Sequence, residues 1–135
     1  MAAGEAFTAT QTERIQRALA QAQSETGLRF YLTVGPFSSQ SGYKAEAQRL
    51  LGVLIADHHG GHDPGVVLVA VDPGNKVLEI ATSPVARERI GDHEVGLVVL
   101  SMTSSFTVGD LVGGIVNGLR MLADSTGAER AALTA

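Results

Sequence analysis

The sequence contains no cysteine and no tryptophan, and aromatic residues make up only 4% of its 135 residues. Lack of cysteine removes disulfides, thiolate catalysis and cysteine-zinc sites together, while leaving the redox compartment open. No long apolar run is present either. The densest, Val95 to Leu100 with Met102, is far too short to cross a bilayer, and the start "MAAGEAFTAT" lacks the basic and apolar regions of a signal peptide. The chain therefore reads as soluble and cytoplasmic, without membrane insertion. Positive charge is scarce as well: Lys and Arg total 10 against 14 Asp and Glu, for a net charge of -4. That balance offers no basic surface for nucleic acid. The eight arginines against two lysines, with abundant Ala and Gly, match GC-rich coding.

What is present is ordinary globular composition in a chain long enough for one core. A single domain is expected over 1–135, with its core at about 7–124 and a frayed tail from Ser125. The segment "TATQTERIQRALAQAQSETG" places Ile15, Ala18, Leu19 and Ala22 on one helical stripe. Thr10 with Glu13 fits a capping box, and Gly27 is placed to end the helix in a left-handed turn. "LRFYLTV" alternates Leu28, Phe30, Leu32 and Val34 against Arg29, Tyr31 and Thr33, as a strand requires. "YKAEAQRLLGVLIAD" returns to helical spacing and should end near His58, before Gly60-Gly61. "VVLVAVD" is apolar almost throughout, as in a central strand covered on both faces, and "DPGN" turns it into a hairpin partner, "KVLEIAT".

The last third is rich in β-favouring Val, yet Val95, Val98, Val99, Met102 and Phe106 follow the helical period. Asp92 is placed to cap that helix, and Asp110 to cap "LVGGIVNGLRMLAD". A right-handed crossover makes the first two strands parallel and the hairpin adds an antiparallel third. The expected fold is a small α/β sandwich, a mixed sheet flanked by helices. Gly113, Gly114 and Gly118 each cost up to about 1 kcal/mol against Ala inside a helix, so close packing on the sheet within one chain is expected to compensate. A monomer is favoured on that account, with a weak dimer through the glycines as the alternative.

Taken in order, the helix ending in "ETGLRFYLTV", the phrase "HDPGVVLVAVDPGNKVLEIAT" and "FTVGDLVGGIVNGL" resemble the TPM domain. More closely they are similar to a TPM-like family of unknown function in high-GC Gram-positive bacteria. The resemblance covers roughly Phe7 to Asp124 and implies an α/β sandwich. It also implies frequent export or membrane tethering, calcium binding in some bacterial members, and acid phosphatase activity in a thylakoid-lumen member. The family's "DNG" falls on Asp63-Pro64-Gly65, with Pro in the middle place, and its "GDY" on Gly109-Asp110-Leu111. The Gly-rich phrase that normally follows the hairpin is replaced by "TSPVARERIGD".

The chemistry-bearing residues cluster in "DHHGGHDPG", where three of the four histidines stand beside two aspartates. His58, His59, His62 and Asp63 could wrap zinc, which takes three or four nitrogen and oxygen donors. Asp63, Asp72, Glu79, Asp92 and Asp110 are oxygen donors suited to calcium. However, Asp63 and Asp72 flank opposite ends of one strand, about 30 Å apart if it is fully extended, too far to share an ion. The preferred reading is a solvated loop in which Asp63 caps the turn before the strand. The metal candidates are therefore Asp63, His62, His58, His59 and Asp110, with calcium or zinc as the ion. Ser41-Gly42-Tyr43-Lys44 matches the S-x-x-K phrase of penicillin-recognising enzymes, but the companion motifs are missing. Gly113 to Gly118 has the outer spacing of a dinucleotide fingerprint, but Ile115 takes the middle glycine's place and no strand precedes it. The function expected is a binding or accessory module, with an unidentified protein as one class of partner. A metal-dependent phosphatase is the alternative.

Overall fold

The computed structural model describes residues 7–37 and 42–134, and side chains as far as 126. Its elements are α1 (Ala9–Thr26), β1 (Arg29–Val34), α2 (Tyr43–His59), β2 (Val66–Asp72), β3 (Val77–Thr82), α3 (Pro84–Arg87), α4 (Asp92–Thr107) and α5 (Leu111–Thr134). The three strands form one sheet in the order β1-β2-β3, parallel between the first two and antiparallel between the last two. This is the mixed sheet expected from the alternation of elements. Ser41 lies outside the described residues; α2 begins just after Gly42.

The cap of α1 differs from the sequence reading. Thr8, not Thr10, is the N-cap: its hydroxyl accepts from the Gln11 N–H at 3.1 Å, and the Thr8 N–H donates to Gln11 Oε1 at 2.9 Å. The helix starts earlier because Phe7, buried beneath it, anchors the entering chain. Glu13 instead pairs with Arg17 one turn on. At the other end Gly27 adopts φ 79° and its N–H reaches Gln23 O, which is the left-handed termination expected.

β2 organises the core. All seven of its residues are buried, and their alternation divides two apolar clusters. Val67, Val69 and Val71 face a large cluster with Phe30, Leu78 and Ile80, covered by α1, α4 and α5. Val66, Leu68 and Ala70 face a smaller cluster with Ala47, Leu51 and Ala81, covered by α2 alone. The asymmetry follows from topology. The single crossover between β1 and β2 supplies one helix, while the remaining helices all return to the opposite face.

Two further differences concern the last third. Asp92 occupies the first helical position of α4, and Gly91 is the N-cap. Together with Glu94, Asp92 still places negative charge at the positive end of the helix dipole. The glycine face of α5 is buried within the chain, but against α4 rather than the sheet. A methyl group at Gly114 would come within 2.7 Å of Ser105 Cβ, and one at Gly118 within 2.7 Å of Met102 Cγ. The reason is that α1 and α4 lie on the strands, so α5 settles between these two helices with Ile115, Leu119 and Leu122 sealed beneath it. Nor does the helix end at Asp124. It runs on to Thr134, with Thr126 buried and its hydroxyl bonded to Leu122 O.

Candidate functional site

α2 ends at Gly60, φ 59°, and the Gly60 and Gly61 N–H groups both turn back to Ile55 O. His58 and His59 remain on the last helical turn, where they flank Tyr31 of β1. His59 Nε2 lies 2.9 Å from the Tyr31 hydroxyl, and the His58 and Tyr31 rings are 6.0 Å apart. His62 is exposed in the loop. The loop breaks the helix between His58 and His62, so the i, i+4 alignment of a helical ligand pair is lost.

Asp63 is committed elsewhere. One carboxylate oxygen accepts from the Gly65 N–H at 2.8 Å and the other from the Val85 N–H at 3.0 Å. Partial burial opposes its ionisation, but these two N–H groups and the Ser83 hydroxyl outweigh that and hold its carboxyl below the usual range. Gly65 has φ 91°, and a side chain there would strike Leu28 at 2.7 Å, which explains the glycine after Pro64. Asp63 thus ties the entry of β2 to α3, a four-residue helix that the sequence reading missed. Ser83 followed by Pro84 was its signal: a buried hydroxyl accepting from Val66 N and Ala86 N, then a proline at the first helical position.

Asp110 caps α5 as expected, accepting from the Gly113 N–H at 3.0 Å. Asp72 is buried at the far end of β2 and caps the hairpin turn. The Asn75 side-chain amide, at 3.0 Å, is the main group holding its carboxyl below the usual range, aided against burial by backbone N–H groups. Among the described residues no three His, Asp or Glu side chains are grouped to hold an ion. The structure brings His58 and His59 together around Tyr31; His62, Asp63 and Asp110 do not join them.

A second region was not singled out from the sequence. A groove of about 370 Å³ runs between α1 and α5. Its floor is made of small apolar side chains, Ala18, Ala22 and Ala123, with Leu119. Its rim carries Arg14, Arg17 and Arg120, and also Glu25 and Asp124. The signal was present: Arg14, Arg17, Ala18, Gln21, Ala22 and Glu25 recur at three- and four-residue spacing, a face beside the apolar stripe of α1. A third surface feature is α4, whose outward Leu97 and Leu100 are 49% and 66% exposed. Among the described residues, no helix is long and apolar enough to cross a membrane.

Comparison with known sequences places this architecture. The family described as Domain of unknown function (DUF5130) matches residues 2–123. The chain belongs to the DUF5130 family. Two solved structures share the fold of this DUF5130 chain. The BA42 protein of the psychrophilic bacterium Bizionia argentinensis is 14% identical, with a TM-score of 0.72 over 90% of this chain and 82% of that one. The N-terminal domain of the cg2496 protein of Corynebacterium glutamicum is 15% identical, with a TM-score of 0.64 over 91% of this chain and 73% of that one. At those identities the likeness is one of fold. No curated protein matches the sequence.

Proposed function

We propose that this DUF5130 domain is a binding module that works as a monomer and uses the cleft between α1 and α5. The observation that carries the reading is the groove itself: a concavity of small-molecule size, with an apolar floor and charged side chains converging on its rim. The TPM resemblance supports this as a shared scaffold. Its two motif aspartates, Asp63 and Asp110, spend their carboxylates on backbone N–H groups, which is a capping role. A fragment screen followed by methyl and amide NMR shifts tests the reading. Hits should concentrate on Ala18, Ala22 and Ala123. Hits concentrated on the His58–Asp63 loop, or turnover of an aryl phosphate with divalent ions that Asp63→Ala abolishes, would replace the binding module with a metal-dependent phosphatase.

A further inference from the structure

The groove is graded in charge along its length. α1 ends at Thr26, whose carbonyl accepts from Arg89, just before α4 begins. α4 and α5 are joined by the tight turn at 108–110 and pack along one another, so α5 runs back towards the end of α1. α1 and α5 therefore point the same way. On both helices the arginines come first and the acids last: Arg14 and Arg17 precede Glu25, and Arg120 precedes Asp124. One half of the groove is basic and its far end is acidic, on a protein whose net charge is -4.

Resting on the binding-module reading, we propose that the groove takes an amphiphilic organic anion, a phosphate, sulfonate or carboxylate head on an acyl or aryl body. The head would sit among Arg14, Arg17 and Arg120, whose guanidinium groups suit forked contacts to anionic oxygens. The body would lie over Ala18 and Val116, the partly exposed apolar side chains of the lining, and displace water from them, with Ala22 and Ala123 just beneath. Arg14 and Ala22 are about 12 Å apart along the helix axis, on the order of an extended eight-carbon chain. Asp124, at the far end, repels a second anionic group and so fixes the ligand's direction. Arg17 already bonds Glu13 on the exposed face of α1. That exposed pair is weak and exchangeable, so the guanidinium can turn to a ligand.

Octyl phosphate, kept below its micelle concentration, is the probe, with inorganic phosphate and octyltrimethylammonium as controls and the alanine methyl groups as reporters. Saturable shifts at Ala18, Ala22 and Ala123 are expected with octyl phosphate, and none with either control. Arg14→Glu with Arg17→Glu should weaken the octyl phosphate by about tenfold or more. Both positions are exposed, and unchanged Ala47 and Ala81 signals on the other side of the sheet would show the fold intact. Equal binding of inorganic phosphate, or octyl phosphate binding that ignores the charge reversals, overturns the inference. Saturation of the same methyls by the ammonium probe and not by octyl phosphate overturns the anion assignment and leaves the binding module standing. Silence of all three probes, with fragment hits elsewhere, removes both.

Discussion

β2 is buried along its whole length, but by different means on its two sides. On one side three helices stack to two layers deep, and Met102, Ile115 and Leu122 have no exposure at all. On the other, α2 alone lies over an alanine-rich surface, and Leu50, Leu54 and Ile55 stay partly exposed at its margins. The deep side requires backbones to approach closely, so it constrains side-chain size in both directions. The shallow side covers the sheet with a helix that has room around it. Both carry glycine inside a helix, and the two glycine sites should respond to substitution with opposite signs.

The largest effect is expected from a cavity on the deep side. Ile115→Ala removes a fully buried side chain between α1 and α4, and should cost about 2–5 kcal/mol because neighbours on three helices cannot collapse into the space. Leu54→Ala on α2, which is only partly buried, should cost distinctly less. Denaturant midpoints of the two variants measure the contrast. Equal losses would mean that the two sides do not differ in packing.

Next comes overpacking. Gly114→Leu should lower stability by about 1–3 kcal/mol, because its first side-chain atom already meets Ser105 Cβ and lies 3.4 Å from Met102 O. Sedimentation of this variant and of the parent should give the same monomer mass. A parent dimer that the substitution dissociates, leaving the folded chain as stable as before, would instead assign these glycines to self-association.

A smaller effect belongs to Asp63, which straps β2 to α3 at the edge of both clusters. Asp63→Ala removes the acceptor for the Gly65 and Val85 N–H groups and should cost about 1–2 kcal/mol at neutral pH. Its carboxyl lies below the ordinary 3.8 in the folded chain, so the ionised form is favoured by folding. The stabilisation is therefore complete above that ordinary value and fades as pH falls through it towards the lowered one. Urea titrations of parent and variant should differ at pH 7 and converge in acid. A difference that did not shrink at all as pH fell below the ordinary carboxylate value would show that the carboxylate's charge is not what holds the strap.

The elements of the fold were legible in the sequence, and the packing between them was not. Period and caps located the main helices and all three strands, and the helical spacing of Val95, Val98, Val99, Met102 and Phe106 correctly overrode their β propensity. Two caps, at Thr10 and Asp92, were misplaced by one or two residues, and the larger failures were statements about which surfaces meet. The glycines of α5 were expected on the sheet, yet α1 and α4 occupy that surface, a fact of three-dimensional layering that no single helix encodes. The histidine cluster is visible in the sequence because its residues are adjacent there, whereas the groove is assembled from residues about a hundred positions apart, such as Ala22 and Ala123. Asp63 was legible as a turn cap; its second bond, to Val85, depends on α3, which the sequence reading missed.

The smallest effect completes the contrast between the two sides. Gly52 lies within α2, exposed, and a methyl group there would meet nothing within 4 Å. Its backbone is helical without the positive φ that reserves a position for glycine. Neither steric relief nor conformation therefore explains the residue, and its main consequence is the extra chain entropy lost on folding. Gly52→Ala should stabilise the domain by up to about 1 kcal/mol, whereas substitutions at Gly114 destabilise it. A thermal melt reads the sign directly: the transition should rise by a few degrees for a domain of this size. A fall would mean that α2 is as tightly confined as α5, and the account of a shallow, forgiving face would have to be given up.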